Sequence, residues 1–205
     1  MRQIPLPSRK RLTVLARLLS QQKKEKITSV ELSALVGWGE ATIRRDISLL
    51  ELHNGVSNGY DVRVLRGAIL EKLKIGGGEA ERHHCCIVGL GRLGEALLEN
   101  SAFDGTAFEI VAGFDTNVNR IEMMESRIPL FPTLDLERKI RSLRIEFAIL
   151  AVPDEKAQFM AERLASYGIR GILNYTNVVL SLPKDVGVEN LSTAMILTDM
   201  AARLS

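Results

Sequence analysis

Residues 86–98 read CIVGLGRLGEALL, an apolar run that stops in glycines and restarts as a helical pattern. The spacing Gly89-x-Gly91-x-x-Gly94 predicts a strand, a tight turn and the first turn of a helix. Gly89 permits the turn, Gly91 lets a backbone approach a pyrophosphate, and Gly94 allows close helix-to-strand packing. Leu90, Arg92 and Leu93 fill the intervening positions, and the helix N-terminus offers N–H groups to an anion. A second apolar run, FEIVAGFD, ends in Asp115, 21 positions after Gly94. A carboxylate at that point accepts hydrogen bonds from a ribose 2′-hydroxyl and repels a 2′-phosphate. The expected ligand is therefore NAD(H) in preference to NADP(H).

The β-α alternation continues through IEFAILAVP, DEKAQFMAERLASYGI and RGILNY, with the short IPLF segment before them and VGVENL and TAMILTDMAARLS after them. Such alternation predicts an α/β Rossmann domain with a mostly parallel sheet, whose strand C-termini line the ligand crevice. Val152, Pro153, Asn174 and Tyr175 stand at such ends and join the glycine loop and Asp115 as candidate cofactor contacts. The run His83-His84-Cys85-Cys86 is not read as a metal site, because consecutive strand residues alternate faces and cannot converge on one ion. Adjacent cysteines are equally unsuited to a disulfide framework and fit a reducing compartment.

The first third of the chain has a different character. Residues 1–74 carry 14 Lys and Arg against 7 Asp and Glu, whereas the remainder carries 13 against 18. A basic module for a polyanion thus precedes an acidic one. Ser8, after Pro7, is expected to cap a first helix with Leu12, Leu15, Ala16 and Leu19 inward. Thr28 and Glu31 form a capping box for a second helix that Gly37 closes. After Gly37-Trp38-Gly39, the segment EATIRRDISLLEL predicts a third helix with Ile43, Ile47 and Leu50 inward. Helix, glycine turn, helix is the helix-turn-helix pattern.

On that helix's outer face, Thr42, Arg44, Arg45 and Ser48 are candidate DNA contacts, suited to base edges and phosphates. Arg9 and Lys10 of the basic start are candidates as well. The stretch HNGVSNGYDV, with its two Asn-Gly pairs, predicts a hairpin wing in which Asn58 and Tyr60 can approach the minor groove, although Tyr60 also suits the module's own core. Residues 61–75 predict an amphipathic connecting helix with Val64, Leu65, Ala68, Ile69 and Leu73 along its apolar face.

The expected division is a winged-helix domain over 1–75, a glycine linker over 76–79, a Rossmann domain over 80–190 and a C-terminal helix over 191–205. That leaves no room for a substrate domain. Nor is a proton relay read, since His53 falls in the wing and His83 and His84 precede the first strand. The dinucleotide is expected to be sensed rather than consumed, by a protein that is not an enzyme. The sequence shows neither a signal peptide nor a membrane span, and a cytoplasmic location is expected.

The stretches IPLPSRKRL, ATIRRDISLL, GLGRLGEALL, GFD, ILAVP and GILNYTNVVLSLP together resemble the Rex family of redox-sensing transcriptional repressors. The resemblance implies a homodimer whose terminal helix is swapped between subunits and whose repression is relieved when NADH replaces NAD, and because a symmetric dimer presents two recognition helices the operator is expected to be an inverted repeat. It also implies that Thr42, Arg44 and Arg45 belong to the recognition helix, that the glycine motif and Asp115 hold the cofactor, and that Asn174-Tyr175 is a conformationally important loop near the nicotinamide. Arg92, Asn100 and Asn190 are read as departures from the family pattern. Two other readings stay open: a DNA-binding regulator whose Rossmann domain holds NAD(H) structurally or answers to another nucleotide, and a small NAD-dependent oxidoreductase.

Overall fold

The computed structural model describes residues 4–52, 59–75, 82–99, 103 and 106–204. The glycine linker and His53, Asn58 and Asn100 lie outside the described residues. The chain divides into two compact units, 1–81 and 82–205.

In the first unit, α1 (Leu6–Ser20) is followed by β1 (Lys26–Ile27), α2 (Ser29–Val36), α3 (Glu40–Ser48), β2 (Tyr60–Asp61) and α4 (Val62–Leu73). Leu12, Leu15, Leu19, Leu32, Ile43, Ile47, Leu65 and Ile69 form its core. The capping box is present in full: Thr28 accepts from the Glu31 amide while Glu31 accepts from the Thr28 amide, and Gly37 ends α2 at φ 70°. The first helix departs from expectation. It begins at Leu6 and Ser8 is not its cap, because Pro7 needs no amide partner in a first turn and the helix can start ahead of it. Ser8 is instead buried and accepts from Arg11.

The third helix is shorter than expected. It stops at Ser48, Leu49 and Leu50 form a turn, and Glu51 takes a left-handed φ of 55° that leads the chain away while Leu50 stays buried. Most of the expected hairpin lies outside the described residues. Its described end, Tyr60–Asp61, pairs antiparallel with Lys26–Ile27. Two paired residues are too few to leave an alternating signal, which is why β1 was not foreseen. The helix expected over 61–75 spans Val62–Leu73 and belongs to the core of the first unit. Asp61 caps it, Leu65, Ile69 and Leu73 are buried with α1 beside them, and Val64 is exposed.

The second unit contains β3 (His83–Val88), α5 (Arg92–Leu98), β4 (Phe108–Asp115), α6 (Val118–Met123), β5 (Leu130–Pro132), α7 (Leu136–Ser142), β6 (Ile145–Leu150), α8 (Asp154–Ser166), β7 (Gly171–Asn174), β8 (Gly187–Asn190) and α9 (Thr193–Leu204). The strands form one sheet in the order β5-β4-β3-β6-β7-β8. Every pairing in it is parallel. From β3 the chain builds outward to β5, then crosses to β6 and builds the other way, so the strand order reverses between β3 and β6. In open α/β sheets this is where a crevice opens at the strand C-termini.

The sequence reading passed over α7, whose buried Leu136 and Ile140 cover one face of the sheet. Cys85 and Cys86 point into opposite layers. Burial pushes the Cys85 thiol up to about 12 and raises that of Cys86 further, so both behave as small apolar groups.

Candidate functional site

At the switch point, the Gly89 amide donates to Phe114 and the Ala151 amide to Val88, which stitches together the ends of β3, β4 and β6. Each of the three glycines has a separate physical reason. Gly89 has φ 95°, and a Cβ there would meet the Ala151 carbonyl oxygen at 2.4 Å. A Cβ on Gly94 would meet the Gly89 oxygen at 1.9 Å, so this residue lets α5 pack onto its own turn. Gly91 caps α5, and a Cβ there would find nothing within 4 Å. The contacts of Gly89 and Gly94 are internal, whereas the space before Gly91 is open. This is the cradle expected for a pyrophosphate, and the residues present fit the dinucleotide that the motif implies.

Around that loop, Arg92 and Leu93 are exposed at the start of α5. Leu90 is turned inward, 1% exposed, so its contribution to the crevice is its backbone. Its amide donates to Asp115 Oδ2 at 2.8 Å. Asp115, at the end of β4, is only 5% exposed and accepts twice more, from the Asn117 amide at 2.8 Å and from Arg120 Nη1 at 2.9 Å. Burial opposes its charge, but the two amides and the guanidinium outweigh burial and hold the carboxyl below its ordinary value. The sequence reading missed Arg120. Its signal was local: Asn117 caps α6, and the third residue after a cap faces back over the preceding strand end.

On the β6 and β7 side, Val152 is half-buried and Pro153 precedes α8. Asn174 is fully buried and fully satisfied. Its Nδ2 donates to the Val178 carbonyl and to Asn190 Oδ1, and its Oδ1 accepts from the Thr176 amide and hydroxyl. Asn174 therefore shapes the loop rather than facing a ligand, while Tyr175 is half-buried against the layer that contains Leu90. The loop is tethered beyond Asn174 as well. Asn177 donates from its amide and Nδ2 to the Asp154 carboxylate at 3.0 and 3.1 Å, and its Oδ1 accepts from Ser192 at the entry to α9, at 2.7 Å. A cavity of about 870 Å³ between α5, β4 and the segment around Met124–Ile128 contains no residue of the glycine loop.

In the first unit, Thr42, Arg44, Arg45 and Ser48 are exposed together along α3, as are Arg9 and Lys10 on α1. Arg44 is held by Glu40 and by Ser29 Oγ. Ser48 donates to the Arg45 carbonyl. Tyr60 packs against the core, and burial raises its phenol, which favours the packing role weighed for it above. One residue pair was not anticipated. Asp46, on the inner side of α3 and 1% exposed, takes both Arg11 Nε and Nη2, at 2.6 and 2.9 Å, and so fastens the helix to α1. The two residues are 35 apart in sequence, and only the fold brings them together.

The comparisons agree with this division. Residues 3–48 match the family "Putative DNA-binding protein N-terminus" and residues 80–178 match the CoA binding domain family. The redox-sensing transcriptional repressor Rex of Limosilactobacillus reuteri (strain DSM 20016) is 37% identical over 197 residues, covering 93% of this chain and 88% of that one. The chain belongs to the Rex family of redox-sensing transcriptional repressors. The Rex protein of Listeria welshimeri is 32% identical, over 92% of this chain and 87% of its own. Among solved structures, RSP, a Rex-family repressor, in complex with β-NAD+ and operator DNA matches all of this chain and 94% of its own, with a TM-score of 0.86 and 26% identity. RSP in complex with β-NADH matches with a TM-score of 0.83 and the same identity.

An N-terminal DNA-binding domain followed by a Rossmann-like domain is thus the Rex arrangement, and the chain is a repressor rather than an enzyme. No described helix is long and apolar enough to cross a membrane.

Proposed function

We propose that the chain represses transcription as a cytoplasmic homodimer on an inverted-repeat operator and leaves it when NADH replaces NAD at the glycine loop. The carrying observation is the open space before Gly91 at the switch point, in a chain of this family that also presents Thr42, Arg44, Arg45 and Ser48 on one exposed helix face. In this reading Gly89, Gly91 and Gly94 shape the pyrophosphate cradle and Arg92 and Leu93 border it. The Leu90 amide positions Asp115 for the adenosine ribose, and Val152, Pro153 and Tyr175 border the nicotinamide end. When bound, NAD(H) supplies a ligand whose redox state differs, and no bond in it is broken.

Helix α9 carries the dimer reading. Met195, Ile196, Leu197, Met200 and Leu204 are all exposed, and none of its described residues is buried in the single chain. A helix so apolar is expected to find its partner surface on a second copy. Exchange of α9 also gives two cofactors one shared interface. Moving a population from 1:99 to 99:1 requires about 10⁴-fold preferential binding, or roughly 5.5 kcal/mol, a demand more easily met by two sites than by one.

The test is a titration of operator-bound protein with NADH and with NAD separately, followed by NADH affinity measured with and without saturating operator. Release by NADH is expected, and operator must weaken NADH binding by the factor by which NADH weakens operator binding. Equal NADH affinities in the two conditions would remove the cofactor from control of DNA binding.

A further inference from the structure

The first turn of a helix offered to DNA is an unfavourable place for a carboxylate, because the duplex is a dense line of negative charge. Glu40 stands there, as the first residue of α3. Its side chain is 36% exposed and pairs with that of Arg44, one turn on, which is 59% exposed. Arg44 Nη2 donates to Glu40, while Arg44 Nε donates to Ser29 Oγ at 3.1 Å, in the first turn of α2. The two bonds draw the guanidinium across the gap between the two helices of the motif. They engage the Nε and Nη2 side that would otherwise grip a phosphate in a paired contact.

We infer that Glu40 is a specificity-determining residue of the DNA-binding surface: it withholds Arg44 from indiscriminate phosphate contact and itself accepts from the amino group of a cytosine in the major groove. This rests on the recognition-helix reading above. The N-terminal residues of a recognition helix are those that reach base edges. An ionised carboxylate has acceptors alone, so it can meet only a base-edge donor, and in the major groove those are the amino groups of cytosine and adenine. Adenine sets its N7 acceptor beside the amino group and repels the second carboxylate oxygen, whereas cytosine presents the amino group alone. A half-site without cytosine at that position leaves the Glu40 charge facing acceptors and phosphates, and repulsion rejects it. Thr42 and Arg45, exposed on the same helix, supply the attraction against which this repulsion discriminates.

The experiment measures binding of wild type, Glu40→Gln, Glu40→Ala and Arg45→Ala to an operator selected from random duplexes by the wild-type protein, and to a random-sequence duplex of the same length, across a salt series. Base preference is read by repeating the selection with each variant, and each is melted thermally. Glu40→Gln keeps the size of the side chain and removes the charge. Its binding to the random duplex is expected to tighten about fivefold at low salt, with a salt slope steeper by about one unit as Arg44 is released to a phosphate. Glu40→Ala is expected to lower the operator-to-random affinity ratio about tenfold and to lose a cytosine preference at one position of each half-site. If Arg45→Ala weakens operator binding while both Glu40 variants keep the wild-type ratio and base preference, the inference falls and the recognition-helix reading stands. A lower melting temperature with that ratio unchanged makes Glu40 a helix-end residue and overturns the inference as well. If all three variants bind operator as wild type does, α3 is not at the interface, and the recognition-helix reading falls together with this inference.

Discussion

Helix α3, the proposed recognition helix, and the glycine loop, the proposed pyrophosphate cradle, are both read as surfaces for a phosphate-bearing ligand, yet they are held in place by different means. The inner side of α3 is fastened by side chains, Asp46 to Arg11 and Ile43 and Ile47 to the core, and the groups proposed to meet DNA are side chains too. The glycine loop is fastened by backbone, with Gly94 against the Gly89 carbonyl and the Leu90 amide on Asp115, and it is proposed to bind through its backbone as well. A surface held by side chains should weaken by degrees when one is altered. A surface made of backbone tolerates no added atom at its contact points.

The largest effect should therefore come from Gly94→Ala. With a carbonyl oxygen 1.9 Å from the new Cβ, either α5 or the turn must move, and overpacking of this kind costs about 3 kcal/mol or more. NADH binding should fall by at least a hundredfold, together with a lower melting temperature. Gly91→Ala is the sharper companion, because its Cβ meets nothing in the ligand-free protein. It should melt like wild type and still lose affinity for NADH, since the methyl fills the space the pyrophosphate needs. Equal binding by Gly91→Ala and wild type would show that the open space is not the cradle.

That contrast also explains what could be read in advance. The glycine motif, the capping box of Thr28 and Glu31 and the strand ending in Asp115 are local patterns, each complete within a few residues and each found where expected. The buried pair of Arg11 and Asp46 was hidden because Asp46 stands beside two exposed arginines in IRRDIS, and nothing nearby marks it as the inward charge. The start of α1 and the end of α3 were misjudged for a related reason. Ser8 suits a cap, but Pro7 lets the helix start ahead of it, and Leu50 is inward as its pattern implies but reaches that place from a turn and not from a helix. Arg120 was legible in principle, since Asn117 caps α6, but only once the cap had been recognised.

The next effect in size tests the side-chain half of the comparison. Asp46→Ala leaves the Arg11 guanidinium without its partner beside the core. Breaking a fully buried pair costs about 3–5 kcal/mol, and because Arg11 reaches solvent a loss of about 2 kcal/mol is expected here. Operator affinity should fall as well, because α3 loses its anchor to α1. The double change Arg11→Met with Asp46→Leu should recover most of the stability by replacing the ion pair with apolar packing. Chemical denaturation of the three proteins measures this, and a stable Asp46→Ala protein with normal operator binding would mean that the pair anchors nothing.

Arg45 and Arg44 should then separate. Arg44 is already engaged by Glu40 and Ser29, whereas Arg45 has no side-chain partner among the described residues. Arg45→Ala should cost about 1–3 kcal/mol of operator affinity if it reads a base, or about one unit of salt slope if it meets a phosphate, and Arg44→Ala should cost less. Binding measured across a salt series distinguishes these outcomes, and a larger loss for Arg44 would reverse the assignment.

The smallest effect lies where the two kinds of fastening meet. Asn177 joins the Asp154 carboxylate, just beyond the end of β6, to Ser192 at the entry to α9, through hydrogen bonds of 2.7 to 3.1 Å. Ser192 is buried, and the bonds that Asn177 donates from its amide and side chain hold the Asp154 carboxyl below its ordinary value. The link runs from the strand end proposed to border the nicotinamide to the helix proposed to cross the dimer. Asn177→Ala removes the side-chain bonds and leaves the backbone amide on Asp154. NADH affinity in the absence of DNA should stay within about twofold of wild type, while the factor by which NADH weakens operator binding should shrink about fivefold, or roughly 1 kcal/mol of coupling. A purely structural bond would lower the melting temperature and leave that factor alone, so the two readouts together decide what the link does. An unchanged factor would place the path from cofactor to α9 elsewhere, with backbone again the first place to look: the Leu191 amide donates to the Asn174 carbonyl at 2.8 Å and would survive every side-chain substitution in the loop.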